Sequence, residues 1–385
     1  MLRLWLKGVV YLAVVAACAT AAWHLTPEPN SARLSVLASD TKTKPKQPKP
    51  NSDCKQPNLL PAKAPPKPSE LGGILGLYVA RFDAQTLQPL SAVATNEHEV
   101  FPLASTYKQA VLWSALSEMD AGRLSESERF DVSIGQQSLG DYPFDGSNVL
   151  TLFQRMIRNS DNTATDLLHR RIGLEKPQKL ADRLGLCKTR LLLPTKDWWV
   201  AQAGLGGPAF PAHDRLNATR IFAKANRAEQ LRLAQFLDQK TQTIAPDDLN
   251  GALNRYFEGP DYNPEIDLNT QNASTPFEWA NLMAYEFLGK GLRAKRQKTF
   301  DAMMNLGIGK GYLQTPFVHF GAKTGNGWRI LTISGYIKTK EGQDIIYVFF
   351  NKESPKTYTV GSRHMRAAFR WINDSIQKVQ QLPRS

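Results

Sequence analysis

The sequence predicts an α+β fold in which an antiparallel sheet, built from strands near both termini, is flanked by helices. Ile74–Phe82 is rich in β-forming residues, and two more strand-like runs, 328–339 and 344–351, lie near the other end of the chain. Helical patterns recur between residues 106 and 306. Strands at both ends with a helical block between them indicate one sheet to which both termini contribute.

Each element follows from its local pattern. A polar turn at 83–88 separates the first strand from a second strand-like stretch. The helical patterns cover 106–184, 215–240 and 276–306. Lys340-Glu341-Gly342-Gln343 joins the two late strands as a hairpin, and 361–379 closes the chain as an amphipathic helix.

Composition and charge limit the class of protein. The chain has 385 residues, a formal net charge of +13 and 42% hydrophobic residues, an apolar share that is ordinary for a globular protein. Its mean hydropathy of −0.37 excludes a polytopic membrane protein. Three cysteines without a CxxC pair exclude a disulfide mini-protein and a zinc ribbon. The histidines show no metal-ligand spacing, so neither a metal nor another cofactor is predicted.

The first segment, residues 1–25, is predicted to be an export signal or a membrane anchor. Arg3 and Lys7 precede a mainly apolar run, which is typical of a bacterial signal. Three outcomes stay open: cleavage at the small residues 19–21, lipidation of Cys18 in a lipoprotein-like box, or retention as an uncleaved anchor. Each outcome places the protein in the periplasm or elsewhere in the cell envelope.

Residues 26–70 are predicted to be a disordered linker. Runs such as Lys42–Pro50 combine proline with like charges, so the segment is expected to stay extended and solvated. It lacks the interleaved aromatic residues of a nucleic-acid platform, and no nucleic-acid partner is predicted. Because Cys54 lies in this linker and Cys187 in the folded part, a structural disulfide between them is not expected.

The remaining part, residues 71–385, contains three motifs that suggest chemistry. In the first, Ser105 and Lys108 stand three residues apart at the start of a predicted helix, so the amine can reach the hydroxyl. The positive end of the helix dipole favours a developing alkoxide and a neutral lysine. Ser105 is therefore a candidate nucleophile and Lys108 a candidate base. The same Ser-x-x-Lys spacing also begins at Ser39, Ser52 and Ser375, where it is attributed to chance.

The other two motifs supply polar groups. Ser160-Asp161-Asn162 lies between two helical patterns, where it can cap a helix and also give a hydroxyl for proton transfer and an amide for substrate. Lys323-Thr324-Gly325, followed by Asn326, lies at the start of the late strand pair. The lysine and threonine can hold a carboxylate, and Gly325 lets a substrate backbone lie against the strand edge.

In this order and on these kinds of element, the three motifs resemble the signature of class A β-lactamases and penicillin-binding proteins. The resemblance covers residues 71–378 and implies a β-lactamase/transpeptidase-like fold. It implies an acylated Ser105 with Lys108 as its base, a Ser160 that passes a proton to the leaving nitrogen, and an Asn162 that binds the substrate amide. It also implies a carboxylate grip at Lys323, Thr324 and Gly325, and an oxyanion hole formed by the backbone N–H groups of Ser105 and Asn326.

The sequence departs from the class A pattern at the glutamate that activates water for deacylation. Alignment places that glutamate near Thr195, where no carboxylate stands, and a long insertion occupies residues 194–260 in place of the Ω-loop region. After the insertion, Glu265-Ile266-Asp267-Leu268-Asn269 fits the family's Glu-x-x-Leu-Asn pattern. Glu265 is therefore a candidate deacylation base, with Asp197 a weaker one. The insertion is interpreted either as a lid or partner surface or as a segment without a function.

Three functions stay open. The first is a β-lactamase that is acylated at Ser105 and hydrolyses the acyl-enzyme through Glu265. The second is a D,D-carboxypeptidase or penicillin-binding protein that acts on peptidoglycan stem peptides and deacylates slowly with β-lactams. The third is a non-catalytic penicillin-recognising fold, which the joint presence of Ser105, Lys108 and Ser160 disfavours. In each case the partner is a small β-lactam or a stem peptide, and the protein is expected to be a monomer, with a membrane tether left open.

Overall fold

Strands from both ends of the chain meet in one sheet, and this confirms the predicted fold class. In the computed structural model, which describes residues 54–383, the strands are β1 (Ala62–Lys63), β2 (Ile74–Phe82), β3 (Pro89–Thr95), β4 (Phe101–Pro102), β5 (Arg129–Phe130), β6 (Ser147–Asn148), β7 (Ala273–Ser274), β8 (Phe317–Gly327), β9 (Ile330–Thr339) and β10 (Asp344–Lys352). Six of them form one sheet in the order β1-β3-β2-β10-β9-β8. Its neighbours are antiparallel except for the short β1–β3 pair.

Helices fill the chain between the early and the late strands. They are α1 (Lys108–Asp120), α2 (Val149–Gln154), α3 (Asn162–Ile172), α4 (Glu175–Arg183), α5 (Thr195–Gln202), α6 (Arg215–Lys224), α7 (Arg227–Thr241), α8 (Pro246–Glu258), α9 (Pro264–Thr270), α10 (Pro276–Phe287), α11 (Ala294–Met304) and α12 (Arg363–Gln381). The helix predicted over residues 215–240 is present as α6 and α7. The chain breaks between them because Asn226 adopts an extended conformation and caps α7 with its side chain.

The central strand β10 is buried along its whole length, and apolar from residue 345 to 350, because both faces of the sheet are covered. Ile346 and Val348 belong to the larger core beneath the helical block. The alternate residues Ile345 and Tyr347 belong to a second core, where α12 contributes Trp371. Successive side chains of a strand point to opposite faces, so a strand buried on both sides has no polar alternation.

The inserted segment, residues 194–260, is helical and shares the larger core. Phe210, Phe222, Leu237 and Leu249 have no exposed surface and pack in the same hydrophobic cluster as the helices around the catalytic motifs. Burial of a large apolar side chain contributes about 1.5–3 kcal/mol, so these contacts stabilise the insertion as an integral part of the domain.

Two predictions about the linker are wrong for its last part. Cys54 and Cys187 form a disulfide, with their Cα atoms 5.6 Å apart. Beyond it, β1 pairs with β3, and the Lys55 N–H donates to the Gly185 carbonyl at 2.8 Å. The proline-rich composition did not indicate this structure. The segment has little local propensity for secondary structure, and contacts with distant parts of the chain order it.

The predicted export segment, residues 1–25, and the linker up to residue 53 lie outside the described residues. Within 54–383, no helix is both long enough and apolar enough to cross a membrane.

Removal of the disulfide should destabilise the fold. The bond joins residues 133 apart in sequence, and closing a loop of this size typically stabilises a protein by about 2–4 kcal/mol. Cys54→Ser should therefore lower the free energy of unfolding by about this amount in urea denaturation.

Cys187→Ser and the double variant serve as matched controls for this experiment. Both should unfold at the same urea concentration as Cys54→Ser, and a reductant should shift only the wild-type transition. An unchanged midpoint in all three variants would show that the disulfide does not stabilise this domain.

Candidate active site

Ser105 lies in a 3₁₀ turn, Ala104–Tyr107, that leads directly into α1. The preceding Ala104 has a φ of 43°, a left-handed conformation that costs a non-glycine residue about 1–3 kcal/mol. The turn is held from two sides, because the Leu103 carbonyl accepts hydrogen bonds from Thr106 Oγ1 at 2.6 Å and from Thr332 Oγ1 at 2.9 Å. The serine is thus fixed at the junction of helix and sheet.

Lys108 is fully buried, and its amine faces the second motif. Its Nζ donates to the Ser160 carbonyl at 2.6 Å, to Asn162 Oδ1 at 2.7 Å and to Ser160 Oγ at 3.3 Å. Burial lowers the pKa of Lys108 to about 7, although the negative charges of Asp166 and Asp161 act in the opposite direction. A substantial fraction of this amine is therefore neutral at physiological pH and can accept a proton.

The Ser160 hydroxyl lies between two lysine amines. A single π-helical turn, Arg155–Asn159, ends at Ser160, whose φ of 56° is left-handed. Ser160 Oγ is 3.3 Å from Lys108 Nζ and 3.0 Å from Lys323 Nζ. This backbone conformation, which is uncommon for serine, presents both its hydroxyl and its carbonyl to the buried amines.

Asp161 and Asn162 divide the structural and the chemical roles of their motif. Asp161 caps α3 by accepting from the Ala164 N–H at 2.9 Å and pairs with Arg155 at 2.6 Å. Asn162 accepts from Lys108 and donates from Nδ2 to the Leu139 carbonyl at 2.8 Å. The helix-cap interpretation of the motif is therefore confirmed, whereas its role in proton transfer and substrate binding stays a prediction.

Lys323 lies on β8 and is 2% exposed. Its amine donates to Ser160 Oγ and to the Thr324 carbonyl at 2.8 Å. Burial and the adjacent charge of Lys108 lower the pKa of Lys323 well below its usual value. A substrate carboxylate near this amine would provide the missing countercharge and favour the ammonium form.

Strand β8 passes so close to Ser105 that only glycine fits at position 325. A Cβ atom on Gly325 would lie 2.5 Å from the Ser105 backbone nitrogen and 2.5 Å from Thr332 Oγ1. The next residue, Asn326, is exposed. The strand edge and the Ser105 N–H are thus adjacent, which is the arrangement that an oxyanion hole of two backbone N–H groups requires.

Glu265 does not join this cluster. It lies in the first turn of α9, its side chain is 41% exposed, and Arg220 donates to both of its carboxylate oxygens at 2.6 Å. The hydrogen bonds from Arg220 lower the pKa of Glu265, which makes the carboxylate a weaker base. Because α9 packs on the inserted helix α6, Arg220 holds the Glu265 carboxylate, and the role of Glu265 as the deacylation base stays a prediction.

Thr195, the position to which the class A glutamate aligns, is hydrogen-bonded to Asp166. Asp166 is fully buried and accepts from the backbone N–H and hydroxyl of Thr195, at 2.6 and 2.7 Å, and from the Lys196 N–H at 2.9 Å. Thr195 Oγ1 also lies 3.4 Å from the Asn162 carbonyl. Asp166 thus holds the start of α5 next to the site. The sequence could have indicated this role, because Asp166 lies four residues after Asn162 and therefore on the same face of α3.

Asp197, the weaker candidate base, is also engaged elsewhere. It is fully buried, and its carboxylate pairs with Arg170 at 3.2 Å. Arg170 also pairs with Asp238 on α7 at 2.5 Å. Burial and the neighbouring charge of Asp238 raise the pKa of Asp197 well above its usual value. This network joins α3 to the inserted helices.

The architecture is the β-lactamase fold, and the Ser105 cluster lies where the three sequence motifs meet. The model of the family described as "Beta-lactamase enzyme family" matches residues 69–265, just over half of the chain. The chain therefore belongs to this family. A comparison with curated proteins found no match.

Solved structures with this fold include both β-lactamases and a penicillin-binding protein. PBP-A is 18% identical with a TM-score of 0.53, covering 82% of this chain and 99% of its own. A β-lactamase from Sphaerobacter thermophilus is 18% identical with a TM-score of 0.52, covering 82% and 94%. The class A β-lactamase described as the last common ancestor of Gram-negative bacteria is 16% identical with a TM-score of 0.52, covering 80% and 94%. At these identities the similarity shows the fold.

A point mutant of PBP-A has been solved as an acyl-enzyme complex with penicillin G. It is 18% identical to this chain with a TM-score of 0.50, and the match covers 79% of this chain and 90% of that one.

Gly325→Ala should slow acylation of Ser105. The added methyl group would displace either the Ser105 N–H or strand β8, and the loss of one oxyanion donor typically costs about 100-fold or more in rate. Stopped-flow measurement of acylation by a chromogenic cephalosporin should show this decrease. Gly327→Ala is the control, because its Cβ would meet nothing closer than Ile330 at 3.7 Å. Equal rates in the two variants would contradict the close-approach argument.

The acylation rate should rise with pH through the pKa of Lys108. Because burial lowers this pKa to about 7, the neutral fraction of the amine grows roughly ten-fold per pH unit below 7 and levels off above it. A pH profile of acylation at saturating β-lactam, measured from pH 5 to 9, checks this. A rate that still rises about ten-fold between pH 8 and 9 would mean that Lys108 titrates as an ordinary lysine.

Proposed function

We propose that this protein is an active-site serine acyl hydrolase that forms an acyl-enzyme at Ser105 with β-lactams and with the related amides of peptidoglycan stem peptides. The observation that supports it best is the position of Ser160 Oγ, 3.3 Å from Lys108 Nζ and 3.0 Å from Lys323 Nζ. A hydroxyl between two buried amines can transfer a proton without a metal or a histidine.

In the proposed acylation these groups act in sequence. Neutral Lys108 takes the proton of Ser105 as the serine oxygen bonds to the substrate carbonyl carbon. The oxygen of that carbonyl becomes negative and accepts hydrogen bonds from the Ser105 and Asn326 N–H groups. As the carbon–nitrogen bond breaks, Ser160 gives its proton to the leaving nitrogen and is reprotonated from Lys108. In net terms one proton passes from the nucleophile to the leaving group, and Lys108 and Ser160 return to their starting protonation states.

The substrate class follows from the charges at the far side of Ser160. Lys323 and Thr324 can bind a carboxylate, which β-lactams and stem peptides both carry close to the reacting amide. Asn162 can bind the substrate's amide side chain once a ligand displaces its present partners. The acyl-enzyme that the PBP-A mutant forms with penicillin G is consistent with this substrate class.

We further propose that deacylation with β-lactams is slow, as in a D,D-carboxypeptidase or penicillin-binding protein. Glu265 is held by Arg220, and position 195 holds a threonine whose hydroxyl donates to Asp166. Without a carboxylate to activate water at the acyl-serine, hydrolysis loses its general base, which is typically worth about 100-fold or more.

A β-lactamase is the second candidate function. The family match and the Glu-x-x-Leu-Asn pattern at Glu265 favour it. It would require the ion pair between Glu265 and Arg220 to open, and the helix α9 to present the carboxylate to Ser105.

We propose that the protein acts outside the cytoplasm, in the periplasm or at the cell envelope. The Cys54–Cys187 disulfide supports this, because such bonds persist mainly in oxidising compartments. The predicted export segment gives independent support. Whether the segment is cleaved, lipidated at Cys18 or kept as a tether stays a prediction, as does the monomeric state.

Incubation with a fluorescent penicillin tests the acyl-enzyme. Wild-type protein should form a covalent adduct visible by mass spectrometry, and Ser105→Ala should form none. Ser375→Ala is the matched control, since Ser375 begins another Ser-x-x-Lys and its hydroxyl donates to the Trp371 carbonyl within α12. No adduct on the wild type, or the same adduct on Ser105→Ala, would exclude the proposal.

Glu265→Gln distinguishes the two candidate functions. Because Glu265 pairs with Arg220, the substitution should change the lifetime of the penicillin adduct less than about two-fold, as measured by its decay after removal of free penicillin. A short-lived adduct in the wild type that becomes stable in Glu265→Gln would instead identify a β-lactamase.

A further inference from the structure

A groove in the described part of the domain lies away from Ser105. It has a volume of about 670 Å³ and runs between the segment 182–190 on one side and the inserted helices α6 and α7 with α9 on the other. None of its lining residues belongs to the Ser105 cluster. A volume of this size is typical of small-molecule sites.

The charged residues of the lining are mainly cationic. Lys188, Arg190 and Arg227 line the groove, whereas Asp182 is its one acidic lining residue. The Asp182 carboxylate is already engaged, because it accepts hydrogen bonds from Arg227 Nε at 3.2 Å and from the Gln178 amide. Two of the three positive charges therefore have no carboxylate partner among the lining residues.

Arg190 is the most constrained of these cations. One nitrogen, Nη2, donates to the Leu268 and Gln271 carbonyls at 2.7 and 2.9 Å, and the guanidinium lies over the Phe222 ring at 5.4 Å. Its Nε is buried without a hydrogen-bond partner. Burial and the nearby charge of Arg227 lower the pKa of Arg190 to about 10, so the site disfavours this cation as it stands.

Arg227 approaches the same place from the inserted helix α7. Its Nη2 donates to the Thr189 carbonyl at 2.7 Å, one residue before Arg190. Guanidinium groups bind carboxylate and phosphate oxygens with their planar fork of donors, so two of them converging on one groove suit a single anionic head group. The walls add Leu186, Ala223 and Leu268, which can contact an apolar body.

We infer that this groove is a binding site for a small organic anion, with its carboxylate or phosphate head between Arg190 and Arg227 and its apolar part against α6 and α9. An anion there would neutralise Arg190, which has no carboxylate partner among the lining residues, and would add a second countercharge to Arg227, which already pairs with Asp182. The site depends on the insertion, because Arg227 and Ala223 lie on α7 and α6. The inserted segment thereby gains a role beyond that of a lid or a spacer.

Titration calorimetry on the purified protein with phenyl phosphate, phenylacetate and neutral benzyl alcohol tests the inference. The two anions should bind, and benzyl alcohol should bind at least ten-fold more weakly or not at all. The tighter of the two anions identifies the head group. No detectable binding of either anion at millimolar concentration, or equal binding of benzyl alcohol, would overturn the inference.

Three variants separate this groove from the carboxylate grip at Lys323. Arg227→Gln should weaken anion binding at least ten-fold, whereas Arg232→Gln, on the same helix but paired with Glu229 at the surface, should leave it unchanged. Ala223→Glu, which adds a negative charge inside the groove, should also abolish binding and decides the matter if Arg227→Gln unfolds. Full binding in Ala223→Glu would overturn the assignment to this groove.

Discussion

The active site depends on one arrangement, in which two buried lysine amines share the hydroxyl of Ser160. Lys108 has no exposed surface and Lys323 is 2% exposed, yet their nitrogens lie 3.3 and 3.0 Å from the same oxygen. Burying two like charges this close together is costly, and the protein reduces the cost by lowering both pKa values and by supplying carbonyl acceptors. A pKa of about 7 is what would allow Lys108 to act as the base proposed for it.

Unusual backbone conformations at the site help to hold these side chains in place. Ala104 and Ser160 adopt left-handed conformations, and Gly325 lets strand β8 approach the serine turn to a distance that no side chain would permit. Such strain, of about 1–3 kcal/mol per residue, persists only where surrounding packing fixes it. The large core beneath the sheet and helices provides that packing, which explains why a polar, strained site lies at the junction of both layers.

Much of this arrangement could be predicted from local patterns. Ser105, Ser160 and Lys323 each belong to a short motif with its own preferred element, so the sheet and the meeting of these motifs could be expected from sequence order. Their roles come from the family resemblance and stay predictions. Glu265 shows the limit of that method. Its pattern fitted, but the position of the side chain is set by Arg220 on an inserted helix, a contact between residues far apart in sequence. The Cys54–Cys187 bond escaped prediction for the same reason, since a proline-rich composition says nothing about a distant partner.

The central claim is that Lys108 is a neutral base near physiological pH because of its burial against Ser160. It is tested most directly by an NMR titration of the protein carrying ¹³Cε-labelled lysine, with the Lys108 resonance assigned by its absence in Lys108→Ala. That resonance should titrate near pH 7, about three units below an ordinary lysine. If it titrates near 10 with the other lysines, the buried amine stays charged, and this account of the site's chemistry is wrong.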